Sequence, residues 1–336
     1  MGMGFPLDRR NDRLLPADWR GEVFVCDIDR TYLATRFSSL RGLASIPFEF
    51  AIDKQDIAGM VVLLKEVRRG PGQESRSSPL YFISASPAQL RHVIQRKMLL
   101  DGLEFDGITF KDWVGVLSEL RLKRLREQLG FKLTALLAGR RELPPGAEEI
   151  LIGDDLENDA LAFTLYADLL AGRIPERKLE AILTGHGVGY EDAVAIREAA
   201  VALGPGTGRV KRAFIRMERH GRPEAFLDAF PGLVGCHGAF QMAIALWQLG
   251  SISKSGVLRV ARDLYDRRWT VETLGDRLRD CCRRGLLDRE HAEGLRQALS
   301  VERLIPEGLE LPEVDHVWAV AGNREPGRPW TPLRHL

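Results

Sequence analysis

Cysteine is scarce in this chain: four residues in 336, at Cys26, Cys236, Cys281 and Cys282. None of them forms a C-x-x-C pair or the spacing of a zinc finger, which excludes a zinc ribbon and a dithiol redox centre. Cys26 sits in an apolar run, where a thiol acts as a small hydrophobe. This usage predicts a reducing, cytoplasmic setting. Net charge is nearly absent too. Lys and Arg number 48 against 47 Asp and Glu, a balance of +1, so no long-range field draws nucleic acid, and none is expected as a partner. Long apolar runs are also missing. Nothing approaches the ~20 consecutive apolar residues of a membrane span, and the opening M-G-M-G-F-P-L-D-R-R-N-D-R-L-L has no apolar leader core. Pro6 stands where the myristoylation pattern requires Ser or Thr. His92, His186 and His237 lack a spaced partner set for metal ligation, and no repeat of solenoid period occurs.

What remains is an ordinary soluble composition, 45% hydrophobic and 28% charged, long enough for one large or two medium domains. The stretch V-F-V-C-D-I-D-R-T-Y, residues 23–32, is a β-branched and aromatic run that ends on carboxylates, as in a central parallel strand with both faces covered. Helical spacing follows over 58–70, a buried strand L-Y-F-I-S over 80–84, and a helix over 87–100 with Pro87 in its first turn. A short strand is expected within 101–110, then helices over 117–130 and 131–141. E-E-I-L-I-G-D-D, residues 148–155, is a further buried strand ending on acids. Strand, helix, strand order implies a parallel sheet. Residues 160–202 have helical patterning, 210–218 a strand, and from about Pro231 onward the pattern is helical, with a Pro- and Arg-rich irregular tail.

Two strands that both finish on paired acids bring four carboxylates to one sheet edge, the edge where open α/β sheets place their ligands. Crowded acids need a cation or a proton to compensate. D-I-D-R-T after the first strand, Ser84 at the end of L-Y-F-I-S, a lysine ahead of the third strand and G-D-D-L-E-N-D after it resemble, in chain order, the four motifs of the haloacid dehalogenase-like (HAD) phosphatases. F-I-S-A-S-P-A-Q-L is similar to F-x-V-S-N-S-P-W-x-L of the App1-like phosphatidate phosphatase branch. I-L-I-G-D-D-L-E-N-D is similar to its I-L-I-G-D-S-G-x-x-D, with acids five apart, F-K-L-T-A-L-L to its H-K-x-x-x-I, and A-F-I-R-M-E to its closing I-Y-I-R. The likeness spans about residues 20–255.

The resemblance implies a Rossmann-like three-layer α/β/α fold with a parallel sheet, a minimal cap and a helical C-terminal module. Residues 17–230 would form the catalytic domain, with a helical insertion at about 165–205, and 231–336 the module. It implies Asp27 as nucleophile and Asp29 as general acid/base. Lys132, preferred over Lys111 and Lys123, would be the cation beside the nucleophile. Thr31, Ser84, Ala85 and Arg30 would contact the substrate phosphate, with Ser86 able to exchange roles with Ser84. Mg²⁺ would be held by Asp27, Asp29, Asp154, Asp155 and Asp159, the adjacent Asp154 and Asp155 being interchangeable from sequence. The expected activity is Mg²⁺-dependent phosphomonoester hydrolysis through an aspartyl-phosphate. The expected substrate is a phosphatidate-like lipid or another bulky phosphoester, met by peripheral contact with a membrane. About 50 residues separate the first two motifs, too few for a large lid. The branch has D-I-D-D-T or D-I-D-G-T where this chain has Arg30. That departure keeps a second reading open, a non-catalytic metal- or phosphate-binding module that recruits a partner through its C-terminal helices. Arg121, Lys123, Arg124 and Arg126, interleaved with Glu119 and Glu127, read as a solvated helix face.

Overall fold

The computed structural model describes residues 5–34, 55–112, 127–218, 221–224, 226 and 232–313. Seven strands form one sheet: β1 Leu7–Asn11, β2 Gly21–Asp27, β3 Leu80–Pro87, β4 Gly107–Lys111, β5 Ala147–Asp154, β6 Arg209–Arg216 and β7 Leu233–Cys236. Their order across the sheet is β1-β4-β3-β2-β5-β6-β7. All neighbours are parallel except β1, which runs antiparallel to β4. β2 lies in the middle, with β3 on one side and β5 on the other. The chain moves outward from β2 through β3 to β4, then returns past β2 to β5. The C-terminal end of β2 is therefore the topological switch point, where such sheets open a crevice for ligands.

The helices among the described residues are α1 Met60–Arg69, α2 Arg91–Leu100, α3 Leu129–Arg140, α4 Asp159–Leu170, α5 Glu176–Gly185, α6 Tyr190–Leu203, α7 Ala239–Gln248, α8 Lys254–Asp266, α9 Val271–Arg283 and α10 Arg289–Val301. Alternation along β2 distributes them over two faces, because successive strand residues point to opposite sides. Phe24 and Cys26 join Phe82, Ile108, Ile152 and Phe214 against α1, α2 and the helices from α7 onward. Val23 and Val25 join Ile83, Leu151 and Ile215 against α3 to α6. Because each central strand is buried on both faces, its sequence is apolar throughout rather than alternating. The result is a three-layer α/β/α architecture.

Within the described residues the expected strands and helices are present with small shifts of boundary, and three differences stand out. Residues 233–236, expected in helical territory, form the short edge strand β7; four apolar residues carry no period that separates strand from buried helix. β1, L-D-R-R-N, is a charged strand at the other edge, and charge is what protects an edge from further pairing. β3 extends to Pro87, which precedes a single 3₁₀ turn, Ala88–Leu90, instead of opening α2. The 165–205 stretch comprises the end of α4 with α5 and α6, and α6 packs on both α5 and α3. The helix expected over 117–130 lies outside the described residues up to 126, as does the Arg121 to Arg126 cluster. No helix among the described residues is long and apolar enough to cross a membrane.

Candidate active site

β2 delivers Asp27 at its last position, and the chain then folds back in a tight loop. The amides of Tyr32 and Leu33 both bond to the carbonyl of Ile28, at 3.0 and 2.9 Å, which turns Asp29 and Thr31 inward. Asp27, Asp29 and Thr31 are all buried. Next to them, the pairing of β3 with β4 shifts register between Ser84 and Pro87. Two hydroxyls two residues apart there reach one carboxylate. Ser84 Oγ donates to Asp29 Oδ2 at 2.8 Å, and Ser86 Oγ lies 3.0 and 2.9 Å from Asp29 Oδ1 and Oδ2. Ala85, between them, is buried. Sequence left Ser84 and Ser86 interchangeable; both hydroxyls converge on Asp29.

On the other side, β5 delivers Asp154. Its Oδ1 accepts the amides of Leu156 and Glu157 at 2.6 and 3.0 Å, an Asx-type turn that starts the loop into α4. Its Oδ2 has no hydrogen-bond partner among the described residues, and neither do Asp27 Oδ2 and Thr31 Oγ1. Buried polar atoms left without partners in a polar cleft mark the place where a ligand belongs. Gly153 is required here, because a β-carbon at that position would collide with the Asp159 carboxylate.

Lys132, only 1% exposed, projects from the first turn of α3 into this group of acids. Its Nζ lies 3.0 Å from Asp27 Oδ1 and 2.9 Å from Glu157 Oε2, and it also pairs with Asp159 Oδ1. Asp159 accepts the Asp154 amide with its second oxygen at 3.0 Å, so both of its oxygens are engaged. Asp155 points elsewhere, its Oδ1 accepting the Glu218 amide at 2.9 Å. Among the described residues, Asp27, Asp154 and Glu157 could share a cation, with one oxygen of each within 4.8 Å of the others. Sequence reading did not single out Glu157, which lies inside the G-D-D-L-E-N-D motif. Its role depends on the turn made by Asp154, which residue spacing alone does not specify. An all-oxygen, anionic donor set with an unpartnered oxygen on Asp154 suits a hard divalent cation such as Mg²⁺.

Electrostatics follow from this crowding. Burial pushes the Asp27 carboxyl well above the carboxylate range; Lys132 opposes the rise, and Asp159, Glu157 and Asp154 add to it. Burial, with the Glu157 charge, raises Asp29 to about 7 against the lowering effect of the two serine hydroxyls. Burial and Asp159 raise Asp154 to about 7, and burial raises Asp159 as well. For Lys132, burial disfavours the charge, but Asp159, Asp27 and Glu157 together outweigh it and hold the ammonium well above its usual value. The arrangement can therefore hold a cation, bind an anion and exchange a proton near neutrality.

Arg30 lies at the rim. Its backbone has φ +62°, and its guanidinium turns to Glu218, with Nη1 2.5 Å from Oε2. Arg216, the last residue of β6, donates Nε to the Arg30 carbonyl at 2.6 Å. Lys111, an alternative for the lysine role, is instead buried over the rings of Phe5 and Phe131, with Nζ on the Glu127 carbonyl at 2.7 Å.

No curated protein and no solved structure matches the chain. Residues 23–182 do match a family model, that of the phosphatidate phosphatase APP1 catalytic domain. That segment holds β2 to β5 with Asp27, Asp29, Ser84, Lys132, Asp154, Glu157 and Asp159. Over that segment the chain is similar to the catalytic domain of the phosphatidate phosphatase APP1.

Proposed function

We propose that the chain is a Mg²⁺-dependent phosphomonoester hydrolase of the HAD type, working through an aspartyl-phosphate on Asp27. One observation carries the reading. A single buried ammonium, Lys132, touches Asp27, Glu157 and Asp159, while oxygens of Asp27 and Asp154 beside it lack hydrogen-bond partners. Asp27, Asp154 and Glu157 would hold the cation, whose charge lets an anionic nucleophile approach an anionic phosphoryl group. A free Asp27 oxygen then forms the bond to phosphorus as the bond from phosphorus to the substrate alcohol breaks. Asp29, whose carboxyl burial pushes up to about 7, in its protonated form gives its proton to the leaving alkoxide. In the second half it takes a proton from the water that attacks the aspartyl-phosphate, and inorganic phosphate leaves. Lys132 and the Thr31 hydroxyl, buried and without a partner, balance charge on the transferred group. Ser84 and Ser86 orient Asp29, and either hydroxyl can turn to a phosphate oxygen.

The family match supports a phosphatidate-like lipid as substrate, presented at a membrane surface, and the reducing setting read from the cysteines supports a cytoplasmic location. Purified protein is expected to release phosphate from an aryl phosphate and from phosphatidate in mixed micelles, with Mg²⁺ required for both. The Asp27→Asn variant should lose at least about three orders of magnitude, as removal of a covalent nucleophile does. Turnover that survives in Asp27→Asn, or proceeds in excess chelator, would overturn the reading.

A further inference from the structure

Arg30 stands between Asp29 and Thr31 with its backbone in the left-handed region, φ +62°. A residue with a long side chain keeps that conformation only where its surroundings over-determine it. Three contacts do so. Its amide donates to the Leu33 carbonyl at 2.7 Å. Its carbonyl accepts Arg216 Nε at 2.6 Å. Its guanidinium donates to Glu218 Oε2 at 2.5 Å. Arg216 gives its remaining reach to the other oxygen of the same carboxylate, through Nη2 and Oε1.

One carboxylate thus holds two guanidiniums, one from the loop and one from the end of β6. Glu218 is itself anchored. Its amide donates to Asp155 Oδ1 at 2.9 Å, and the Asp155 amide donates to the Arg216 carbonyl at 3.1 Å. Arg30 and Arg216 side chains are 16% and 11% exposed and Glu218 28%. Bonds between charged groups in such a half-sheltered place are stronger than those between mobile side chains in open solvent.

We infer that Glu218 is a positioning residue. Through Arg30 and Arg216 it keeps the loop from Ile28 to Leu33 in its strained conformation, and so holds Asp29 and Thr31 over the cleft. Both Arg216 and Glu218 lie beyond residues 23–182, the part that matches the family. The inference rests on the proposed roles of Asp29 and Thr31 for its effect on turnover, but not for its effect on the loop. Without the carboxylate, an arginine at this φ has reason to relax and carry the neighbouring peptides with it. A glycine in its place has none, since glycine takes positive φ without steric cost.

The test is a double-mutant cycle in the full chain, comparing Glu218→Gln, Arg30→Gly and the two together. It is read by hydrogen exchange at the Tyr32 and Leu33 amides and by aryl phosphate turnover. Glu218→Gln should speed exchange at these amides about tenfold, in line with coupling between residues in contact. It should lower kcat by a similar factor with KM little changed. In the Arg30→Gly background the same Glu218→Gln change should do neither. Exchange at core amides such as Phe24 reports global folding and should stay constant throughout. Equal effects of Glu218→Gln in both backgrounds, or none in the native chain, would overturn the inference. If turnover is absent from every chain while exchange follows the cycle, the positioning role stands and the phosphatase reading falls.

Discussion

Lys132 is the residue on which the site's electrostatics turn. Removing it strands three acids, Asp27, Glu157 and Asp159, that now share its charge, and breaking a buried pair from one side costs more than the pair contributes. Lys132→Met should therefore destabilise the metal-free protein by about 3–5 kcal/mol, read from urea unfolding, with part of the loss recovered in Mg²⁺. Gly153 is the second sensitive position. Its missing side chain makes room for the Asp159 carboxylate, so Gly153→Ala should cost about 1–3 kcal/mol, the usual penalty of overpacking, in the same assay. Residues on strand ends were legible in the sequence: Asp27, Ser84 and Asp154 are each placed by an apolar run, and the structure brings them to one cleft. Glu157 and Glu218 were not, because they reach the site through an Asx turn and a contact between distant loops. Neither has a spacing that can be read. The branch pattern has Asp or Gly where this chain has Arg30, and both of those residues accept positive φ more readily than arginine. That is the one sequence signal for the strained loop.

At the scale of elements, the central strands were the most legible part of the fold, since burial on both faces writes a continuous apolar run. The edges were the least. β1 is polar and β7 is four residues long, so neither carries a period. Between the layers, α3, β5 and α4 are tied by a polar contact inside the core. Glu149 Oε2 lies 3.3 Å from Arg140 Nη1 and accepts the Tyr166 hydroxyl at 2.8 Å. Burial raises the Glu149 carboxyl above its ordinary 4.5, with Arg140 and Tyr166 only partly opposing it. The folded state then holds this proton more tightly than the unfolded chain. The contribution to stability is fullest below pH 4.5 and declines as pH rises toward the folded value. Denaturation midpoints measured across this range should fall with pH more steeply in the native chain than in Glu149→Gln; equal slopes would contradict it. The C-terminal helices are conventional by comparison: Ser253, Thr270 and Asp288 cap α8, α9 and α10 by accepting the amides of Gly256, Thr273 and His291. Thr270→Ala should cost about 1 kcal/mol in thermal or urea unfolding.

Over the whole molecule, topology decides where the chemistry sits. The order of connection reverses at β2, which leaves a crevice beyond the C-terminal ends of β2 and β5, and these paired neighbours are the two acid-ended strands. A cation held in that crevice would favour the folded state over the unfolded chain, so under the proposed function Mg²⁺ at a hundredfold excess over its Kd should stabilise the protein by about 2.7 kcal/mol. Asp154→Asn should remove most of that gain, as followed by thermal unfolding. The central claim is that Asp27 itself receives the phosphoryl group, and the most direct measurement is acid quenching of the Asp29→Asn variant during turnover of an aryl phosphate. A phenolate leaves without a proton, whereas hydrolysis of the intermediate needs the Asp29 base, so the phosphorylated enzyme should accumulate. The account predicts one phosphoryl group on the peptide that contains Asp27, absent from the Asp27→Asn, Asp29→Asn double variant. Phosphate release with no phosphorylated peptide, or a label on another residue, would contradict it.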